Sequence, residues 1–232
     1  MGALGTDPNT LYLHADAQHL SKLHLGAFLV TGGIIAQILA GVMLAAAAVG
    51  ASVSPSTAGL IIPAAVIAVA AVLTTLAGWW LISERDPSGV LDDKVSRSRP
   101  ALRVALIVNA VFMLIRFIEI LTGTVVMSVS IGSVPIDLGQ LLSNVATAVQ
   151  FFASMLYLRW VAARIPDDKA INDAKRMLWL GPVLYIPGMC ILIGPLIALV
   201  LYWNLVDRVR RQLKTIRIAR GDINAKAPKI PR

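Results

Sequence analysis

The sequence predicts an all-α fold: a polytopic helical membrane protein with four transmembrane helices and a fifth hydrophobic segment that prolines interrupt. Hydrophobic residues make up 57% of the chain and charged residues 15%, whereas a soluble domain contains about 25% charged residues. Four apolar runs are each long enough to cross a bilayer, which takes about 20 residues. Tryptophans lie near the ends of the apolar runs, where the membrane interface favours them: Trp79, Trp80, Trp160, Trp179 and Trp203.

The N-terminal part of the chain predicts a polar lead-in followed by two spans. Residues 1–25 are polar and mixed in charge, so they do not form a signal peptide. Within them, 9–25 alternate leucines with polar groups and are predicted as an interfacial helix. The first span covers 26–50 and the second covers 58–82, which gives a helical membrane domain that begins at residue 26.

Small residues recur at four-residue spacing in the first span. Gly33 and Gly41 flank Gln37 at that spacing. Small side chains on one helix face let a second helix approach closely. The pattern therefore predicts a packing face, either within the chain or between chains.

The third and fourth spans are predicted at about 104–127 and 138–161. The positions of the basic residues predict the orientation of all four spans in the membrane. Loop 83–103 and region 159–176 carry five Lys and Arg each, while the linkers 51–57 and 128–140 carry none. Cytoplasmic loops are enriched in Lys and Arg. The two basic regions are therefore predicted to be cytoplasmic. Four crossings place the N-terminus in the cytoplasm as well.

The fifth segment, 177–203, leaves two topologies open. It contains Pro182, Pro187 and Pro195, and proline kinks or breaks a helix. A single kinked crossing would put the following tail outside, although that tail carries nine Lys and Arg. A re-entrant hairpin that turns near Pro187 would return the tail to the cytoplasm. The membrane domain, 26–203, ends with this segment.

Residues 204–220 form a basic amphipathic stretch, predicted as a helix that lies on the membrane surface. Apolar residues recur at three- and four-residue spacing, and basic residues occupy the other faces, which suits an anionic lipid surface. The end, 221–232, is a flexible tail by composition. The residues predicted to contact lipid headgroups are Arg208, Arg210, Arg211, Lys214 and Arg217.

Arg116 and Glu119 interrupt the third span near its middle. Charged residues inside a membrane are rare and mark functional sites by default. They are three residues apart, so they share a helix face and can neutralise each other. The pair is either a gate, ion site or counter-charge for a solute, or a structural ion pair that fixes how the third span packs.

Other polar residues lie at a similar depth and extend this pair into a predicted intramembrane polar cluster. Gln37 is at the middle of the first span, Gln150 is at the middle of the fourth, and Asn109 lies two turns before Arg116. Polar side chains in a bundle form hydrogen bonds between helices. The cluster is therefore either interhelical packing or a polar site at the midplane, and the sequence leaves both open.

Few chemical sites remain once these segments are assigned. Cys190 is the single cysteine, which excludes a disulfide within the chain. His14, His19 and His24 are five residues apart, so they do not share a helix face. There is no Gly-rich phosphate loop or catalytic motif. No cofactor, metal site or catalytic residue is predicted. The net charge is +8, but the basic residues lie beside apolar runs, so this charge does not predict a nucleic-acid partner.

The sequence favours a non-enzymatic integral membrane protein that acts by assembly, as an accessory or scaffold subunit of a membrane complex or as a homo-oligomer. The alternative is a small channel or transporter that uses the polar cluster around Arg116 and Glu119. Expected partners are the bilayer with its anionic headgroups and other membrane subunits or further copies of the chain. In general appearance the chain resembles small bacterial membrane proteins, which implies the cytoplasmic (inner) membrane; no residue role follows from that likeness.

Overall fold

The computed structural model describes six helices and one short β-hairpin. The residues it describes are 15–54, 59–85, 98–122, 128–131, 134–165, 167–185 and 193–221. The elements are α1 (Ala17–Val53), α2 (Ile61–Ile82), α3 (Ser98–Thr122), β1 (Ser128–Ile131), β2 (Val134–Asp137), α4 (Leu138–Ala162), α5 (Asp168–Tyr185) and α6 (Ile193–Ala219). Four of them, α1 to α4, are long and apolar enough to cross a membrane. The four predicted apolar helices are thus confirmed.

Helix α1 runs without a break through the predicted boundary between the polar lead-in and the first span. It starts after Asp16, whose side chain accepts a hydrogen bond from the backbone N–H of His19 at 3.1 Å. This is a side-chain N-cap, which stabilises the first turn of a helix. The helix contains 37 residues, or about 55 Å at 1.5 Å per residue. Of the predicted interfacial helix, residues 9–14 lie outside the described part of the chain.

Helices α1 and α2 form an antiparallel hairpin held together by glycines. A Cβ atom added at Gly26 would lie 2.7 Å from the carbonyl oxygen of Gly78, and one at Gly78 would lie 2.7 Å from that of Gly26. At Gly33 an added Cβ would lie 2.2 Å from Thr75 Oγ1. The small-residue face at Gly33 therefore packs within the chain, whereas Gly41 faces open space.

Helices α3 and α4 form a second antiparallel hairpin, and α4 has the predicted bounds to within one residue. Helix α3 covers Ser98–Thr122, so it begins six residues before the predicted span, while residues 123–127 lie outside the described part of the chain. Arg116 and Glu119 therefore lie in the last two turns of α3 and not at its middle. Part of the predicted exit loop forms the β-hairpin, with Ser128 opposite Asp137 and Ile131 opposite Val134. Alternating β-branched residues favour a strand, which explains why the chain leaves the helical conformation before α4.

The last apolar run contributes to two helices, α5 and α6, which are antiparallel neighbours. Asp173 of α5 pairs with Arg208 of α6, and Asp167 accepts a hydrogen bond from Gln212 at 3.1 Å. Much of the predicted charged loop 165–176 is helical, because α5 begins at Asp168. The predicted amphipathic stretch is the second half of α6 and continues its apolar first half. The predicted turn at Pro187 lies outside the described residues.

The apolar face of the amphipathic stretch is buried inside the protein. Val206, Val209, Leu213 and Ile216 are at most 4% exposed and belong to the same hydrophobic core as Leu20 of α1. Helix α6 packs on both α1 and α5. The expectation that this face dips into a lipid surface is therefore wrong for these residues, because neighbouring helices cover it. Lipid contact by the basic faces stays a prediction.

Candidate functional site

A cavity of about 330 Å³ lies between the α1–α2 and α3–α4 hairpins; we call it the inter-hairpin cavity. Four of the five residues of the predicted polar cluster line it: Gln37, Asn109, Arg116 and Gln150. Further polar side chains in its wall are Thr75, Ser143, Thr147, Ser154 and Tyr202. The structure thus brings most of the cluster to one site.

The wall formed by α1 and α2 carries one amide held by a hydroxyl. Gln37 Nε2 donates a hydrogen bond to Thr75 Oγ1 at 2.7 Å, and Thr75 donates to the carbonyl of Ala71 at 3.1 Å. Two helices that are otherwise apolar are joined at this point by a chain of hydrogen bonds. The arrangement fixes the Gln37 side chain and leaves its carbonyl oxygen as an acceptor for another group.

The wall formed by α3 and α4 carries a matching polar contact. Asn109 Nδ2 donates a hydrogen bond to Gln150 Oε1, and the hydroxyl of Thr147 lies 3.4 Å from Asn109 Oδ1. Asn109 and Gln150 are near the midpoints of two helices of 25 residues each. Asn109 is buried, so its amide requires partners. Gln150 is thus at the middle of its helix, as predicted, whereas Asn109 rather than Arg116 is the residue at the middle of α3.

Arg116 lies at the end of the cavity next to the β-hairpin. It is seven residues beyond Asn109, which is about 10 Å along a helix. Its guanidinium donates to Glu119 Oε2 at 2.6 Å, to Asp137 Oδ2 at 2.8 Å and to Gln140 Oε1 at 2.7 Å. The predicted pair with Glu119 therefore exists, but it belongs to a larger cluster that connects α3 to the start of α4.

This cluster contains one guanidinium and two carboxylates, so the formal charge of these three groups together is negative. Glu119 is 6% exposed and Asp137 is 34% exposed. The pKa of Asp137 lies below its usual value, chiefly because the backbone N–H of Gln140 donates to its carboxylate and also because Arg116 does; desolvation opposes the shift. Asp137 thus serves as both the N-cap of α4 and a counter-charge for Arg116.

The opposite end of the cavity is closed by aromatic side chains. Trp79 Nε1 donates to the Tyr202 hydroxyl at 2.7 Å, and the two rings are stacked with centroids 6.3 Å apart. Phe151 packs on Tyr202 at 5.4 Å between centroids. Trp79 is fully buried, whereas Thr147, nearer the β-hairpin, is exposed. Buried aromatic side chains therefore cover the Tyr202 end of the cavity.

Sequence reasoning missed Thr75 and Tyr202 as members of this site. Thr75 lies in the second span, about one turn before Trp79. Its hydroxyl was a usable signal, since a hydroxyl in an apolar helix needs an acceptor. The sequence carries no comparable signal for Tyr202, because its contact with Trp79 depends on where the fold places α6. The aromatic residues at span ends were interpreted only as interface anchors.

The predicted lipid-contact residues lie away from the inter-hairpin cavity. Arg208 pairs with Asp173, while Arg210 and Arg211 donate to the buried carboxylate of Asp207 at 2.9 and 2.7 Å. Lys214 is exposed and Arg217 is half-buried. Three of the five therefore take part in ion pairs that order the surface of α6.

Neither a metal cluster nor a known relative assigns a function to these sites. Among the described residues, no group of three or more His, Cys, Asp or Glu side chains is placed to hold a metal ion. Comparison with protein-family models, with curated proteins and with solved structures finds no significant match. Any function must therefore be inferred from the geometry.

Proposed function

We propose that the chain is an integral membrane protein in which α1 to α4 cross the bilayer. Large apolar side chains are exposed on the outer faces of these helices, as a lipid environment requires and an aqueous one disfavours. Examples are Leu39, Val42, Val66, Val104, Val111, Leu141 and Val149. The basic regions before α3 and after α4 are cytoplasmic in this topology, and the N-terminus lies on the same side.

Helices α5 and α6 complete the topology as a re-entrant hairpin from the cytoplasmic side. Their apolar parts, 177–185 and 193–203, are about 14 and 17 Å long at 1.5 Å per residue. A bilayer core is about 30 Å thick, so each leg reaches about halfway. A re-entrant hairpin requires protein around it, and the packing of α6 on α1 is a contact of this kind. The basic tail then returns to the cytoplasm.

The inter-hairpin cavity supports a channel or transporter function best. The observation that carries this proposal is the placement of polar residues from four helices, α1 to α4, around one cavity. Its cytoplasmic end is covered by Tyr202 and by Trp79, which donates a hydrogen bond to Tyr202. A volume of about 330 Å³ corresponds to about ten water molecules at roughly 30 Å³ each. A polar cavity closed on one side fits a gated channel or an alternating-access transporter in its outward-open state.

The charge of the cavity selects the class of solute. Of the described residues that line the cavity, the charged one is Arg116. Its ion pairs with Glu119 and Asp137 offset its positive charge, so the cavity is not expected to attract anions. The amides of Gln37 and Gln150 offer both donors and acceptors. We therefore expect a small cation or an uncharged polar solute with hydroxyl or amine groups.

Flux through reconstituted liposomes tests this proposal. Thr75→Val removes a hydroxyl from the cavity wall, whereas Thr74→Val is a matched control, because Thr74 bonds its own helix at Ala70 and does not line the cavity. Uptake of small cations and polyols should be reduced by the first change and unaffected by the second. Liposomes that show no uptake above protein-free vesicles for any such solute would refute the transport proposal.

Assembly remains the second candidate, and exposed polar groups on α4 favour it. Gln140 and Thr147 are exposed in the isolated chain, although both lie in a helix apolar enough to span a membrane. Both form hydrogen bonds within the chain, and a neighbouring subunit or a second copy would in addition remove them from contact with hydrocarbon. Purification in mild detergent followed by native mass spectrometry separates the candidates: a stoichiometric partner or oligomer supports assembly, and a lone monomer that transports solute excludes it. In either case we propose a function without catalysis.

A further inference from the structure

A second and larger cavity, of about 620 Å³, lies between α5 and α6. We call it the α5–α6 cavity. None of its lining residues lines the inter-hairpin cavity. In the proposed topology it lies at the base of the re-entrant hairpin, at the level of the cytoplasmic headgroups. Its chemistry is therefore independent of solute transport.

The α5–α6 cavity changes from charged to apolar along its length. The antiparallel contacts Asp167–Gln212 and Asp173–Arg208 mark its charged end. Further along the hairpin, its wall is formed by Met177, Leu180, Leu201 and Leu205. From residue 167 to residue 180, α5 rises about 20 Å. A charged end near the interface and an apolar end towards the bilayer centre match the shape of an amphipathic molecule.

Two guanidinium groups at the charged end have hydrogen-bonding capacity to spare. Arg176 lines the cavity and forms no hydrogen bond or ion pair with any residue in the described part of the chain. Arg211 is held by the buried carboxylate of Asp207, yet its side chain is 76% exposed. Arginine has five N–H donors, so Arg211 keeps donors for a ligand. Guanidinium donors are typical of sites that bind phosphate oxygens. Arg176 and Arg211 both line the same cavity, on either side of the Asp173–Arg208 contact.

We propose that the α5–α6 cavity binds a phospholipid of the cytoplasmic leaflet. Its phosphate would be held by Arg176 and Arg211, and an acyl chain would lie along Leu180 and Leu201. This inference rests on the proposed topology, which puts the cavity in contact with that leaflet. It goes beyond general attraction of basic residues to the membrane, because it assigns one bound lipid to a site with a defined headgroup end and chain end.

The carboxylates in the wall of the cavity favour a phosphodiester over a free phosphate as the ligand. Asp167 and Asp173 also line the charged end, so a doubly charged free phosphate meets repulsion that a singly charged phosphodiester meets less. The same carboxylates accept hydrogen bonds from hydroxyl groups. A phosphatidylglycerol headgroup, with one phosphodiester and two hydroxyls, satisfies both sets of groups.

Binding to the purified full-length chain in neutral detergent tests the proposal. Short-chain phosphatidylglycerol is titrated, and its dissociation constant is obtained from the shift of thermal unfolding. We expect Arg176→Gln to weaken binding about tenfold, the effect of losing one hydrogen bond to a charged group. Lys214→Gln is the matched control, since Lys214 is an exposed cation of α6 that does not line the cavity. Unfolding without lipid shows that each variant is folded.

Two further ligands identify which part of the lipid is recognised. Diacylglycerol lacks the phosphate and should bind at least tenfold more weakly than phosphatidylglycerol. Glycerol 3-phosphate and inorganic phosphate lack the chains and should give no shift at millimolar concentration. Equal binding of diacylglycerol, equal binding of free phosphate, or equal affinities of the Arg176→Gln and Lys214→Gln variants would each overturn the proposal. A failure here leaves solute flux and the labelling of the topology unaffected, so it is distinguishable from a failure of the proposed function.

Discussion

Gly26 and Gly78 face each other across the α1–α2 hairpin so closely that neither position has room for a side chain. A Cβ atom at either residue would lie 2.7 Å from the carbonyl oxygen of the other. Backbone oxygens cannot move as side chains can, so the contact sets the distance between the two helices. The α1–α2 wall of the inter-hairpin cavity depends on this spacing, because Gln37 and Thr75 lie further along the same pair of helices.

Gly26→Ala should therefore destabilise the protein. Overpacking of this kind typically costs about 1–3 kcal/mol. Gly32→Ala is the control, because an added Cβ at Gly32 meets no atom within 4 Å and alanine favours helix over glycine. Thermal unfolding in detergent should show a lower midpoint for the first variant and an unchanged or higher one for the second. Equal midpoints would mean that the two helices are further apart than described.

Asn109 and Gln150 should be energetically coupled. Each amide satisfies the other near the middle of the α3–α4 hairpin, so Asn109→Leu and Gln150→Leu each leave a polar partner without its contact. In membrane proteins such interhelical hydrogen bonds contribute about 0.6 kcal/mol on average and at most about 1.7 kcal/mol. A double-mutant cycle of unfolding free energies should give a coupling in that range. Strict additivity would show that the two side chains do not interact.

The sequence predicted the apolar helices and much of the cavity, because both follow from patterns along single helices. Span length identified α1 to α4, and depth within a span placed Gln37 and Gln150 at one level. The start of α3 was not predictable in this way. Arg99, Pro100 and Arg103 lower the hydropathy of its first turns, so hydropathy alone places the start of the span after them.

The sequence also could not show what packs against the apolar face of the amphipathic stretch. The spacing of Val206, Val209 and Leu213 predicts one apolar face, but lipid and protein bury such a face equally well. Only the fold shows that α1 and α5 cover it. For the same reason Tyr202 could not be assigned to the cavity, since its contact with Trp79 joins residues far apart in the chain.

Loss of Arg116 should be more harmful than loss of Glu119. Arg116→Leu leaves Glu119, which is 6% exposed, without its guanidinium, and breaking a buried pair in this way costs about 3–5 kcal/mol. In Glu119→Leu the guanidinium still has Asp137 and Gln140. The yield of folded protein should therefore fall most for Arg116→Leu, less for Glu119→Leu, and recover substantially in the double variant.

The double variant also separates packing from function. Asp137 keeps its bond from the backbone of Gln140, so the start of α4 remains capped without Arg116. A folded double variant without solute flux would make the cluster part of the transport site, whereas one with normal flux would limit it to packing. If Arg116→Leu folds as well as the wild type, the ion pairs are not needed for folding and the expected order is wrong.

Cysteine labelling should distinguish the re-entrant hairpin from a single crossing. In a Cys190→Ala background, Ser54→Cys lies at the end of α1 on the side opposite the basic loops, and Thr215→Cys lies on the exposed surface of α6. The proposed topology puts the first outside and the second in the cytoplasm. A membrane-impermeant maleimide added to intact cells should therefore label Ser54→Cys alone, and permeabilisation should expose Thr215→Cys. Labelling of both in intact cells would show that 177–203 crosses the membrane once, which would also move the α5–α6 cavity away from the cytoplasmic leaflet.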